Sequence, residues 1–152
     1  MKITHIETIP VRVPIQARLA IRSHIGAHTV SPFLLVKIHT DEGVVGLGEV
    51  SSTPRWSGED QVTATHFIAT LLAPQLEGEN PAEIERLSTK LRRALAGNPF
   101  TKAALEMALW DILGKVAGLP LYRLLGGPVR EWVATKWSVS GLDPERAAEI
   151  AA

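Results

Sequence analysis

The sequence predicts an α+β domain: a three-stranded antiparallel meander followed by a helical bundle, with one more strand and the start of another helix behind it. Residues 3–13 alternate apolar and polar side chains, with β-branched types throughout, which is the period of a half-buried strand. Two further apolar runs flank Asp41-Glu42-Gly43, a turn of hairpin type. From about residue 57 the period lengthens to that of helices, and capping residues, prolines and glycines mark where they begin and end.

After the first strand, residues 14–31 carry Pro14, Gly26 and two histidines without clear periodicity and read as a long loop. Phe33 to His39 is the second strand, and Val44 to Val50 returns as its hairpin partner. Residues 51–58, from Ser51 through Trp56 to Gly58, form a second loop. Ser57 or the residues just after it cap a helix that runs to about Leu72 and is stopped by Pro74. Asn80-Pro81-Ala82-Glu83 starts the next helix, with a capping side chain, Pro at the first position and Glu three residues after the cap. It runs to about Ala96, with Gly97 at its end.

A third helix begins near Thr101, with Leu105, Leu109, Ile112 and Val116 on one face, and ends at Gly118 and Pro120. A short turn over 121–125 closes on Gly126-Gly127-Pro128. Trp132 to Ser140 reads as another strand, and Asp143-Pro144-Glu145 caps a helix running on to Ala152. A strand and part of a helix cannot bury their own apolar faces, so residues 131–152 are expected to open a second domain behind a first one of residues 1–130.

Composition narrows the function. Hydrophobic residues at 45% against 21% charged are enough for a core and argue against disorder. The 16 basic residues balance the 16 acidic ones, which disfavours a nucleic-acid binder. No apolar run is long enough to span a bilayer, and no apolar core of a signal peptide follows Met1 and Lys2, so a cytoplasmic protein without a membrane partner is expected. With no cysteine, disulfides, thiolate catalysis and Cys-based zinc sites are excluded.

Three stretches carry a family likeness. The first is the hairpin Asp41-Glu42-Gly43-Val44-Val45-Gly46-Leu47-Gly48-Glu49. The second runs from Asn98-Pro99-Phe100 through Ala104-Leu105-Glu106-Met107-Ala108-Leu109-Trp110-Asp111 to Lys115. The third is Gly118-Leu119-Pro120 followed by Leu124-Leu125-Gly126-Gly127. In this order and spacing the chain resembles the N-terminal capping domain of the muconate-cycloisomerase and mandelate-racemase branch of the enolase superfamily, over roughly residues 1–141.

The resemblance implies an enzyme of roughly twice this length, a racemase, epimerase, cycloisomerase or dehydratase acting on a small carboxylate and assembling as a homo-oligomer. In that family a (β/α) barrel follows the cap, and residues 131–152 correspond to its first strand and the start of its first helix. Barrel carboxylates hold Mg²⁺, which stabilises the enolate formed when a Lys or His removes a proton next to the substrate carboxylate. The Lys-x-Lys that would supply the base is missing: no two of Lys2, Lys37, Lys90, Lys102, Lys115 and Lys136 lie two apart. Catalytic residues and Mg²⁺ ligands are therefore expected beyond Ala152, with none in this chain, which is expected to be inactive alone.

By the same resemblance, two cap segments, about 15–31 and 51–59, fold over the barrel mouth, exclude water and shape the substrate pocket. Trp56, a bulky aromatic in a polar loop, is the leading candidate for a substrate-covering contact, the alternative being packing onto its own domain. Thr53 stands in the same segment, and Arg22, His24 and His28 in the other could meet a carboxylate. Ser138 and Ser140 share a face of the expected barrel strand with Lys136, and Ser138 best matches a hydroxyl that relatives present to substrate.

Other signals carry less. Gly46-Leu47-Gly48 has Ser51 where a dinucleotide fingerprint needs its third glycine. His24 and His28 have ligand spacing only on a helix, and their segment is not helical. Asp111 is expected to clamp a neighbouring loop or Lys115. Glu49 is expected to be structural. A rival to the capping reading is a stand-alone α+β binding or oligomerisation module.

Overall fold

The computed structural model describes residues 1–23, 26–136, 139 and 143–151, apart from the side chains of Arg18 and Ser23. They fall into two compact units, one built from Met1–Val11 with Pro32–Gly127, the other from Arg12–Ser31 with the segment from Pro128 onward.

The first unit contains most of the three-stranded sheet, ordered β1 (Ile3–Pro14), β4 (Val30–Thr40), β5 (Val45–Ser51). Strands β4 and β5 pair antiparallel from Phe33 opposite Ser51 to His39 opposite Val45. Gly43 closes their hairpin at φ +78°, a left-handed conformation that glycine adopts without steric penalty. Alternation along β4 sends Leu34, Val36 and Ile38 inward, each fully buried, and turns Lys37 and His39 to the other face. Both the meander and its order agree with the sequence.

The sheet packs on a helical layer. α1 (Gln61–Phe67) passes through a π-helical turn (Ile68–Leu72) into α2 (Ala73–Leu76). Pro74 therefore does not stop the helix at Leu72. It falls in the first turn of α2, where its missing N–H is not needed, and the wider turn before it accommodates the ring. Of the cap positions the sequence left open from Ser57 onward, the structure uses Asp60: its carboxylate accepts the Val62 and Thr63 amides at 2.8 and 2.9 Å.

α3 (Ile84–Ala94) starts later and ends earlier than its sequence signals suggest. Asn80 does accept the Ala82 amide, at 3.1 Å, but this organises a turn ahead of the helix. α4 (Pro99–Ala117) is the long central helix, with Leu105, Leu109 and Ile112 fully buried. Val116, predicted on the same face, is exposed. A Gly118 left-handed cap ends α4, and α5 (Leu121–Leu124) closes on Gly126-Gly127.

The contact between β5 and α4 explains the Gly-x-Gly of the hairpin. A methyl group on Gly46 would collide with the Ala108 carbonyl, and one on Gly48 with the Ala104 carbonyl. Two residues of strand advance about 6.7 Å and four residues of helix about 6 Å, so Gly46/Gly48 and Ala108/Ala104 are matched pairs of small residues. The motif is a packing device, which disposes of the dinucleotide reading.

In the second unit, the segment expected to be a loop contains regular structure. A 3₁₀ turn (Ala17–Leu19) leads into the hairpin of β2 (Ile21–Ser23) and β3 (Gly26–His28), in which Ile21 faces His28 and Arg22 faces Ala27. The Ile15 amide donates to the Thr29 carbonyl at 2.9 Å. Strands this short leave no alternation to detect. In the expected strand 132–140, the described residues 132–136 and 139 join no ladder, and Trp132 and Val133 are exposed. Strand structure requires a hydrogen-bonded neighbour, and these residues have none among those described. The helix after it is present as α6 (Pro144–Ala151), capped by Asp143, which accepts the Arg146 amide at 3.0 Å.

Candidate functional site

The segment after β5 is held at both ends, with Trp56 exposed at its tip. The Ser52 amide donates to the Pro32 carbonyl at 3.2 Å. The Thr53 carbonyl accepts the Trp56 and Ser57 amides, both at 2.8 Å, winding residues 53–57 into a single turn, and the Thr53 and Ser57 hydroxyls lie 3.3 Å apart. Thr53 is thus half-buried and part of the turn. Trp56, at its tip, keeps 86% of its surface exposed, so it does not pack onto its own domain.

Three consecutive residues then fasten the segment. Glu59 is only 4% exposed, and its carboxylate accepts the Phe100 and Thr101 amides at 2.9 and 2.8 Å and the Thr101 hydroxyl at 2.6 Å. The two amides are orphan donors of the α4 N-terminus, where Asn98 is left-handed and makes no side-chain cap. Asp60 caps α1 and also accepts the Thr63 hydroxyl; these bonds hold its carboxyl below the usual carboxylate range, the hydroxyl contributing most. Gln61 donates both hydrogens of its side-chain amide, to the carbonyls of Val11 and Phe33 at 2.9 and 2.7 Å.

The other predicted residues are placed as follows. Arg22 is exposed on β2. His28 is exposed on β3, with Nε2 2.9 Å from the Ser31 hydroxyl. His24, Ser138 and Ser140 lie outside the described residues. Among the described residues no cluster of three His, Asp or Glu side chains could hold a metal.

Asp111 is the clamp the sequence suggested. Its Oδ2 accepts the Leu47 amide at 2.8 Å and the Lys115 ammonium at 2.6 Å, while Lys115 also donates to the Val45 carbonyl at 2.7 Å. The pair stitches α4 to β5 beside the glycines. A groove of about 310 Å³ near the C-terminal end of α4, lined by Trp110, Lys115 and Leu119 among others, includes none of the predicted site residues. Glu49 is exposed. On the outer sheet face His5 stacks on His39 with ring centroids 4.0 Å apart, and His39 meets Glu7 at 3.1 Å. This bond, more than the nearby Lys37 ammonium, lowers the Glu7 pKa.

Sequence reasoning missed Glu59 and Gln61. Each stands among residues that read as loop or cap, and each acts on a partner at least 28 positions away, which no local pattern reports.

A three-stranded meander locked onto a long helix by glycine–alanine contacts, with an anchored surface turn beside it, defines an α+β domain. The chain belongs to the mandelate racemase/muconate lactonizing enzyme family: residues 5–126 match that family's N-terminal domain. It is 36% identical to the N-succinyl-L-Arg/Lys racemase of Bacillus cereus over 152 residues, covering 100% of this chain and 41% of the racemase. Superposed on the crystal structure of that racemase, it gives a TM-score of 0.92 over 99% of this chain and 40% of the other. The L-Ala-D/L-Glu epimerase of Bacillus subtilis is 37% identical over 150 residues, with 97% of this chain and 40% of the epimerase covered. A chloromuconate cycloisomerase of Cupriavidus pinatubonensis is 34% identical over 148 residues, with coverages of 96% and 39%. The chain thus spans about two-fifths of the length of these relatives.

Proposed function

We propose that this chain is the capping and specificity domain of a longer, Mg²⁺-dependent enzyme that removes a proton next to the carboxylate of a small substrate. The observation that carries the proposal is the 0.92 TM-score to the racemase with only 40% of that protein covered. That likeness supports reading residues 1–130 as the cap and 131–152 as the start of a barrel. The turn tipped by Trp56 and the hairpin carrying Arg22 and His28 then serve as lid segments that exclude water and hold the part of the substrate remote from the reacting carbon. Ser138 and Ser140 belong to the same proposal as contacts from the first barrel strand, as does a homo-oligomeric assembly.

Among the described residues no side-chain cluster fits Mg²⁺. The carboxylates of the candidate segment are committed, Glu59 to the α4 amides and Asp60 to the α1 cap. No step assigned to this chain runs through a metal.

The test uses the full-length protein in D₂O with N-succinylated amino acids, dipeptides and muconates, following deuterium entry at the carbon next to the carboxylate. Exchange or cycloisomerisation with at least one class supports the reading. A folded full-length protein that is inert toward all of them, or turnover by residues 1–152 alone, overturns it.

A further inference from the structure

We propose that Glu59 is a positioning residue that fixes where the 53–58 turn carries Trp56; that Trp56 covers substrate rests on the function proposed above, its placement by Glu59 does not. A carboxylate withdrawn from water needs partners, and Glu59, 4% exposed, finds three of them in the first turn of α4. That helix is a fixed reference, since Gly46 and Gly48 press β5 against its Ala108 and Ala104 carbonyls. From the same residue a chain of hydrogen bonds runs back to the tip of the turn. The Glu59 amide donates to the Ser57 hydroxyl at 3.3 Å, and that hydroxyl donates to the Thr53 carbonyl at 3.2 Å. The Thr53 carbonyl also accepts the Trp56 amide at 2.8 Å. The side chain of Glu59 thus grips α4 while its backbone grips the turn.

The strand end of the turn has no such hold. There the Ser52 amide makes one bond, to the Pro32 carbonyl at 3.2 Å. The Ser52 side chain is fully buried, yet its hydroxyl meets no hydrogen-bond partner among the described residues. One backbone bond therefore stands against three bonds to a carboxylate, which are roughly twice as strong as neutral ones. The turn takes its position from the helix side. All of these groups belong to the first unit. With 86% of its surface exposed, the indole itself adds little to the hold.

The test uses the full-length protein and follows the Trp56 indole N–H by NMR without substrate, so its outcome is separate from that of the lid reading. Glu59→Gln keeps the shape and sets an amide nitrogen or a weaker acceptor against the α4 donors. Thr101→Val removes only the hydroxyl bond and changes no charge. In both, the Trp56 resonance should shift and its heteronuclear NOE fall, more in Glu59→Gln. Ser52→Ala removes a hydroxyl that holds nothing and should leave both in place. An unchanged Trp56 signal in Glu59→Gln, or an equal change in Ser52→Ala, overturns the proposal. If Glu59→Gln does not fold, Thr101→Val decides by the same signal. Where the full-length protein turns over one of the substrate classes above, a double-mutant cycle adds a second reading. Glu59→Gln should raise KM on the order of tenfold with kcat kept within about twofold, and should raise it no further in the Trp56→Ala background. Independent effects of the two substitutions on KM, or a loss of kcat with KM unchanged, overturn the proposal. If Trp56→Ala alone leaves KM unchanged, the lid reading fails, and the indole signal still decides the placement.

Discussion

Gly46 and Gly48 lie against the backbone of α4 with no room for a methyl group, whereas Trp56, a few residues further along the chain, leaves 86% of its surface uncovered. Between these extremes Glu59, Asp60 and Gln61 spend their polar groups on other parts of the domain. The strand–helix contact is close-packed at the two glycines, and a change there is felt as lost stability. The turn is tied down on both sides while the Trp56 indole at its tip is left uncovered. The lid role proposed for Trp56 requires an indole that its own domain leaves uncovered, and this one is.

The comparison is broken most directly with one substitution made in two places. Gly48→Ala forces the strand away from the Ala104 carbonyl and is expected to destabilise by about 3 kcal/mol or more, because backbone rather than a flexible side chain blocks the space. Gly58→Ala meets no neighbour and bears only the strain of φ +79°, about 1–2 kcal/mol. Urea unfolding of the two variants measures the difference, and equal effects would mean that the β5–α4 contact is not the tight element described.

Next in size is Glu59→Gln, which places an amide nitrogen or a weaker acceptor against the donors of the α4 N-terminus. With three bonds to a buried carboxylate disturbed, a loss of about 2–3 kcal/mol is expected. Exchange at Phe100 and Thr101 should rise with it. A near-neutral result would show that α4 caps itself.

Glu79 is the half-buried, surface counterpart of that buried carboxylate. It pairs with Arg86 and Lys90, and the hydrogen bond from Arg86, followed by that from Lys90, draws its pKa from 4.5 down to about 2. The folded value lies below the unfolded one, so the pair contributes stability above pH 4.5, and that contribution is lost as pH falls from 4.5 through 2. Solvent screening keeps the effect small. Melting temperature followed over this window should fall less steeply in Glu79→Gln than in the unmodified chain; parallel curves would mean that the ion pairs contribute nothing.

The legibility of the sequence follows the same division. The meander and α4 are readable because burial on one face imposes a period, two for β4 and nearly four for Leu105, Leu109 and Ile112. Asp111 and Lys115 are readable because a helix brings i and i+4 together. The β2–β3 hairpin is too short to show a period, and Pro74 looks like a stop until the π turn before it is known. Val116 continues the apolar stripe in sequence but lies past the end of what the sheet covers. The anchors are hidden for a different reason: Glu59 and Gln61 act across the fold, and Ser57 and Asp60 are both capping types, so sequence alone leaves the cap open between Ser57 and the residues after it.

Trp56→Ala carries the smallest expected change in stability and the sharpest reading of the turn. A side chain so exposed contributes little to folding, and its removal should move the unfolding free energy by no more than about 0.5 kcal/mol. If the turn covers substrate in the full-length enzyme, the same variant raises KM well beyond what that stability change explains, and raises kcat/KM discrimination costs for substrates with large distal groups most of all. A Trp56 that only decorates the surface leaves both the melting temperature and KM unchanged. A large loss of stability with unchanged KM would mean instead that the indole packs on the domain after all, and the contrast between a committed strand–helix contact and an open turn would no longer hold.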